Sequence, residues 1–437
     1  MLSKRSFSFI VTFIALLIVL AAIFVGRRIV QGNGYLLRNV RFAADEISPN
    51  ADGNNDITLI EYELSRNATV SIYFDDPAGT RYYFRQERER GKGTFQVYFS
   101  GVVNGYLLPG ESVEGTVISR LLQNGEYSWT IEATDSNGQQ EKVSGRITIH
   151  EADLTLPQMV DFGLDKNRFT PNRDGINDRV QAQYFLEKEA TVRVFLRLPN
   201  GVELPIAEKN RDVPAGEPGW HIYDYEGGVD NGDTPPPDGT YPIVAIAEDA
   251  EGQKMAVETQ LTIDLGGVPR AQILPAVVGD TLEFNTLSLS ICETLSFTIT
   301  VQNYGETPIR TTGPWSGATY DSNWNYNTVG WPTESGAWRL GIGYENALSD
   351  YPYRWGLGSP DQLTEIDGHY YLMPGQQVAI TGHIRVIDLF GVRNPQPIWA
   401  GLIHEDVEIS QFNNRVDPHA ILVDLPDPDH LPTCETE

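Results

Sequence analysis

The chain has 437 residues, 41% of them hydrophobic and 21% charged, with only two cysteines. This is a globular composition with length for two to four domains, not a disordered one. Acids outnumber bases 59 to 32, for a net charge of −27. Such a surface repels nucleic acid and anionic lipid, so no nucleic-acid partner is expected; it suits an exposed, ion-containing medium.

In chain order, the first predicted element is the charge-free run at 7–26, FSFIVTFIALLIVLAAIFVG. About 20 apolar residues span about 30 Å of hydrocarbon. Lys4 and Arg5 precede the run and Arg27 and Arg28 follow it. It is longer than a signal-peptide core and lacks an A-x-A site. The expectation is an uncleaved signal anchor over 1–28 and a juxtamembrane linker over 29–43. The protein is then single-pass in the cell membrane, with the bulk of the chain extracytoplasmic.

Two repeats follow. Pro49-Asn50-Ala51-Asp52-Gly53-Asn54-Asn55-Asp56 recurs 122 residues on as Pro171-Asn172-Arg173-Asp174-Gly175-Ile176-Asn177-Asp178. Later pairs recur at an offset of 114: Asn124-Gly125-Glu126-Tyr127 with Asp238-Gly239-Thr240-Tyr241, and Asp135 to Gln139 with Asp249 to Gln253. The second copy has therefore lost about eight residues internally, and a repeat of this length is one domain. Alternating runs such as Thr69 to Phe74 and Thr191 to Leu196, punctuated by Asn-Gly and Asp-Gly turns, predict β-sandwiches over 44–150 and 155–265. Pro242, inside one such run, predicts an edge or first-residue position.

The loop P-N-x-D-G-x-N-D carries two readings. Asn50, Asp52 and Asp56, with Asn172, Asp174 and Asp178, offer side-chain oxygens of the kind Ca²⁺ takes. The same side chains also form Asx-turns that satisfy backbone donors.

At these residues the chain resembles a known family. Phe169 to Asp178 is similar to the opening of bacterial extracellular Ig-like modules of gliding-motility and surface proteins. Trp220, Asp238-Gly239-Thr240-Tyr241 and Ala247 to Gly252 resemble the Ig-like module of the flagellar hook-capping protein (FlgD). The first repeat departs from that pattern: Tyr98-Phe99 stands in place of the Trp strand, and 103–120 is longer. The resemblance implies tandem Ig-like domains and is nearly silent on function, because such modules serve as spacers in unrelated proteins.

Residues 268–437 do not repeat the module. Leu295 to Val301 followed by Gln302-Asn303-Tyr304-Gly305 resembles a strand of bacterial adhesion-type Ig-like domains. Tyr371 to Ile380 reads as a later strand pair and Ile398 to Ile403 as the last core strand. Between them, about 311–368 reads as an aromatic-rich insertion. Trp324, Trp331, Trp338, Tyr351 and Trp355 fit either a ligand surface for a glycan or protein or a self-packed satellite core. Cys292 and Cys434 fit either a disulfide or two free thiols.

No HExxH, GxSxG, Walker or GxGxxG pattern occurs, so no enzyme and no cofactor beyond Ca²⁺ is expected. The expected whole is all-β: an N-terminal transmembrane helix, tandem Ig-like β-sandwiches, and a C-terminal β-sandwich-like domain with an insertion. It would act as a structural, adhesion or interaction scaffold, its repeats as spacers. The alternatives are a carbohydrate-binding accessory protein and an envelope assembly component.

Overall fold

The computed structural model describes residues 34–209, 212–424 and 434. Their regular structure is strand, apart from three single 3-10 turns at Val229–Asn231, Pro360–Gln362 and Gln411–Asn413. The expected transmembrane helix is corrected accordingly. Among the described residues no helix is long and apolar enough to cross a membrane, and the 7–26 run that carried the expectation lies outside them.

The first module runs through β1 (Leu37–Phe42), β2 (Glu46–Ile47), β3 (Thr58–Leu64), β4 (Ala68–Asp75), β5 (Arg81–Arg90), β6 (Gly93–Phe99), β7 (Val102–Asn104), β8 (Thr116–Leu121), β9 (Gly125–Asp135) and β10 (Gln140–Ile149). One sheet has the order β1-β3-β6, the other β2-β10-β9-β4-β5. In β3 every second residue is buried, Thr58, Ile60, Tyr62 and Leu64, because successive side chains point to opposite faces. The inward residues meet Ile72, Phe74, Phe99, Trp129 and Ile131 in one core. Leu36 and Leu37 belong to that core, so part of the stretch read as linker is instead the first strand of the sandwich.

The second module comprises β11 (Met159–Leu164), β12 (Arg168–Phe169), β13 (Val180–Leu186), β14 (Thr191–Arg197), β15 (Glu203–Pro205), β16 (Ala207–Glu208), β17 (Gly219–Tyr225), β18 (Gly239–Glu248) and β19 (Lys254–Ile263). Its sheets are β11-β13-β17-β16 and β15-β14-β18-β19-β8-β7. The second sheet thus ends in two strands of the first module. The longer 103–120 segment, which set the first repeat apart, is the hairpin that crosses over. Pro242 lies in β18, between two strands rather than at an edge. It is tolerated because the β14 register stops at Leu196↔Ile243, so no strand there seeks its missing N–H. Tyr127 and Tyr241 occupy equivalent places. Their hydroxyls donate to the carbonyls of Gln123 and Pro237 at 2.9 and 2.7 Å, closing the same corner twice.

The third domain holds β20 (Ala271–Ile273), β21 (Glu283–Phe284), β22 (Ser288–Ser290), β23 (Thr294–Asn303), β24 (Ile309–Thr311), β25 (Thr319–Asp321), β26 (Trp338–Tyr344), β27 (Tyr353–Gly356), β28 (Thr364–Ile366), β29 (His369–Leu372), β30 (Gln377–Arg385), β31 (Gln396–His404), β32 (Glu408–Ile409) and β33 (Val416–Asp424). Its sheets are β20-β23-β30-β25 and β22-β33-β31-β26-β24-β29-β28. The strand read as last, β31, is followed by β33, which pairs with it. The supposed insertion is structural: β26 lies between β31 and β24, and Trp338, Tyr353 and Trp355 join the main core with Phe297 and Ile380. Cys292 and Cys434 form a disulfide, their Cα atoms 5.2 Å apart.

Candidate functional site: the repeated loop and the joints between domains

Both P-N-x-D-G-x-N-D loops fold alike. In the first, Asn50 Oδ1 accepts from the Asp52 amide at 3.1 Å and Asp52 Oδ1 from the Asn54 amide at 2.8 Å. Asp56 closes the loop by accepting from the amides of Asn50 and Gly53 at 3.4 and 2.7 Å. In the second, Asn172 accepts from Asp174 at 3.0 Å and Asp174 from Ile176 at 2.8 Å. Asp178 accepts from Asn172 and Gly175 at 3.2 and 2.6 Å. These are linked Asx-turns. They require left-handed backbone at alternate residues, φ 58°, 87° and 56° at Ala51, Gly53 and Asn55, and 59°, 83° and 53° at Arg173, Gly175 and Asn177.

The surroundings of the two loops differ. Residues 51–55 are solvent-exposed, whereas Asn172 and Asp174 are buried. The second loop docks against the third domain. The Tyr371 hydroxyl donates to Asp174 Oδ2 at 2.8 Å, Arg310 Nε donates to the Asp174 carbonyl at 2.6 Å, and His404 Nε2 lies 2.8 Å from the Arg173 carbonyl. Arg310 also pairs with Glu334 and donates to the Ser335 carbonyl at 2.5 Å. The contact is close: a Cβ on Gly175 would lie 2.2 Å from the Ser335 carbonyl oxygen. Outside the loop, Thr307 Oγ1 donates to the Leu265 carbonyl at 2.8 Å and Arg168 pairs with Asp367 at 2.7 Å.

Burial dominates the electrostatics here. It raises the Asp174 carboxyl above its ordinary range against the opposing Tyr371 bond. Burial, and then the charge of Asp174, raises Asp178 to about 6. Burial lowers His404 to about 4, so its ring is neutral at pH 7 and its Nε2–H donates to Arg173. The Asn172 side-chain nitrogen is buried without a hydrogen-bond partner.

The joint between the two repeats uses other residues. β8 pairs antiparallel with β19, Met255↔Val117 and Ala256↔Thr116. Ser119 Oγ donates to the Gly252 carbonyl at 3.0 Å and the Leu121 amide to Gln253 Oε1 at 3.3 Å. Buried Gln253 donates to the carbonyls of Asp153 and Thr155 at 3.1 and 3.0 Å. Lys188 gathers Asp153, Asp249 and Glu251 at 2.8, 2.9 and 3.0 Å. Arg66 stands at the equivalent place in the first repeat, 2.7 Å from Asp135 and 2.8 Å from Gln139. The Asp-x-x-Gly-Gln loop of the second repeat thus receives the chain entering its module directly, and that of the first repeat does so through Arg66, whose Nη1 donates to the Gly34 carbonyl at 3.4 Å. The repeat offset marks these loops in sequence but does not reveal what they touch.

The five aromatic residues proposed as one ligand surface are not one surface. Trp338, Tyr351 and Trp355 are 3%, 4% and 0% exposed. Trp355 meets Phe297 and Tyr320 edge-on with ring centroids 4.9 Å apart, and Trp338 stacks on His404 at 4.4 Å. Trp331 packs edge-on against Trp315. Trp324 is 43% exposed. Sequence reasoning missed the buried cluster beneath them, in which Glu405 pairs with Arg339 and Arg354 at 3.4 and 2.9 Å. Arg339 further donates to the carbonyls of Thr312, Trp331 and Pro332, which anchors the long connections. One further small acidic group is present: ligand atoms of Asp280, Asp417 and His419 lie within 4.8 Å of one another.

No family model matches this chain, and no curated protein matches it. Among solved structures, it is similar to a tetra-tandem repeat from the extending region of a large adhesion protein, at 12% identity over 83% of this chain and 81% of that one, TM-score 0.17. It is also similar to a Ca²⁺-stabilised adhesin with which an Antarctic bacterium binds ice, at 11% identity over 89% and 74%, TM-score 0.25. A third similarity is to a Bacteroides ovatus glucan-utilisation protein, SGBP-B, in complex with a mixed-linkage heptasaccharide, at 11% identity over 88% and 67%, TM-score 0.15. These likenesses lie among β-rich adhesion and binding proteins; at such TM-scores they carry no argument about ligand.

Proposed function

We propose that this chain is a non-catalytic extracytoplasmic scaffold, in which two Ig-like repeats hold a third domain at a set distance and present it to a protein or glycan partner. The observation that carries this reading is the construction of the joints. β8 of the first repeat is a strand in the sheet of the second, and the second repeat's loop is buried against the third domain through Asp174 and Tyr371. A strand shared between sheets and a buried polar network both stiffen a joint, as a spacer requires. The disulfide Cys292–Cys434 supports an oxidising compartment. The resemblance of the second repeat to the hook-capping Ig-like module, carried by Asp238 to Tyr241 and Asp249 to Gly252, fits the spacer role.

The test is distance measurement between spin labels placed at exposed Asn54 and exposed Val392. A narrow distance distribution is expected; a broad one, spread over tens of ångströms, rejects the spacer reading.

A second reading, Ca²⁺ at the repeated loops, is favoured by one observation: Asp174 and Asp178 are brought together with carboxyls raised by burial. A divalent cation would offset that cost, held by Asn172, Asp174 and Asp178, with Asn50, Asp52 and Asp56 as the equivalent set. Bound Ca²⁺ would add RT ln(1 + [Ca²⁺]/Kd), about 2.7 kcal/mol at a hundredfold excess. Equal melting temperatures in Ca²⁺ and in chelator would reject it.

A further inference from the structure

The two repeats treat one strand edge differently. In the second, β19 has β18 on one side. Its other side is taken twice, by β12 at Thr262–Ile263 and by β8 at Lys254–Ala256. In the first, β10 has β9 on one side and β2 at Thr148–Ile149 on the other. Among the described residues no strand pairs with the remaining edge, 140–147. The offset of 114 maps Gln140, Glu141 and Lys142 onto Lys254, Met255 and Ala256, the residues that β8 covers.

The hydrogen-bond phase shows what this edge offers. The amides of Thr148 and His150 donate outward, to Asp45 and Ile47 at 2.8 and 3.1 Å. The amides of Thr262 and Asp264 do the same in the second repeat, to Asn167 and Phe169, each at 3.0 Å. In a strand, alternate residues aim both N–H and C=O to the same side. Gln140, Lys142, Ser144 and Arg146 therefore point their backbone groups at this edge, and all four are exposed; of these groups only the Arg146 carbonyl has a partner among the described residues, the Trp129 indole N–H at 3.2 Å. Unpaired rows of this kind template the addition of a further strand.

We infer that the edge of β10 over 140–146 is a docking site for an extended strand of another polypeptide, added antiparallel as β8 adds to β19. The occupant's chemistry is that of Thr116-Val117-Ile118-Ser119: β-branched, hydroxyl-bearing and free of proline. In the second repeat, Ser119 Oγ reaches the Gly252 carbonyl, and Gly138 is the equivalent residue here. A second copy of this chain is disfavoured as occupant, because each copy carries a net charge of −27 and like-charged molecules repel.

The test uses the full chain and a synthetic peptide of residues 114–123, EGTVISRLLQ, with hydrogen exchange read at Lys142, Ser144 and Arg146. In the chain alone these amides exchange fast while Lys254 and Ala256 are protected. Added peptide slows them by a factor of about 1 + [peptide]/Kd, and a scrambled peptide does not. Lys142→Pro removes an outward N–H and spares the β9 pairing, as edge positions allow, so it abolishes the slowing at Ser144 and Arg146 without lowering the melting temperature. Should that variant misfold, a peptide N-methylated at alternate residues supplies the same control. The inference is overturned by absence of slowing, by equal slowing with the scrambled peptide, or by protection of this edge in the chain alone. Self-association of the chain that Lys142→Pro abolishes would also overturn it, by assigning the edge to a second copy.

Discussion

The hydroxyl of Tyr371 donates to Asp174 Oδ2 across 2.8 Å, joining residues 197 positions apart at the seam between the second repeat and the third domain. Tyr371→Phe removes the donor and leaves a buried carboxylate oxygen without it. A loss of about 1.5–3 kcal/mol in chemical denaturation is expected, as for hydrogen bonds to charged groups. A double-mutant cycle with Asp174→Asn should show coupling of at least about 0.5 kcal/mol; strict additivity would mean the contact contributes nothing.

Asp178 makes the same seam pH-dependent. Burial and the neighbouring charge of Asp174 raise its carboxyl from 3.8 to about 6. A carboxyl raised in the folded state favours folding when protonated. Its contribution is therefore full below pH 3.8 and is lost as pH rises through about 6, on the order of 3 kcal/mol in all. Asp178→Asn should flatten stability between pH 4 and pH 7 in chelator, whatever it costs at a single pH. An unchanged slope refutes this.

Gly115 governs the first joint. Its φ is +84°, and a Cβ there would lie 2.2 Å from the Ala256 carbonyl oxygen. Gly115→Ala should cost about 1–3 kcal/mol in strain and force β8 away from β19. Faster hydrogen exchange at Lys254 and Ala256, with the first-module core unaffected, is the expected signature.

The aromatic residues of the third domain separate into two classes. Trp355 is fully buried, so Trp355→Ala should cost about 3–5 kcal/mol. Trp324 is 43% exposed, so Trp324→Ala should stay within about 0.5 kcal/mol. If Trp324 lies on the presented surface, its loss lowers partner binding without changing the denaturation midpoint.

The disulfide closes a span of 142 residues. Cys434→Ser should lower stability by about 2–4 kcal/mol, chiefly by freeing the unfolded chain. Reduction of the wild-type protein should reproduce that loss; if it does not, the serine itself is responsible.

Much of the architecture was legible in the sequence because it is local. Alternation such as Thr58 to Leu64 determines which face of a strand turns inward, and Asx and glycine at fixed spacing determine the shape of the P-N-x-D-G-x-N-D loop. The repeat offset determined that two modules share one plan, and the tyrosines of their closing corners, Tyr127 and Tyr241, sit where it places them. What the loop meets was decided only by tertiary structure. Identical motifs leave Asp52 in solvent and bury Asp174, because only the second loop has Tyr371, Arg310 and His404 opposite it, and those residues lie more than 130 positions downstream. The aromatic-rich stretch misled for the same reason: density of Trp and Tyr along the chain carries no information on which ring faces a core. Trp338 and Trp355 are buried because β26 and β27 pair within the main sheet, a long-range event without local signature. The unpaired edge of β10 is likewise invisible in Gln140 to Arg146 alone, since an open edge is defined by the strand that does not arrive.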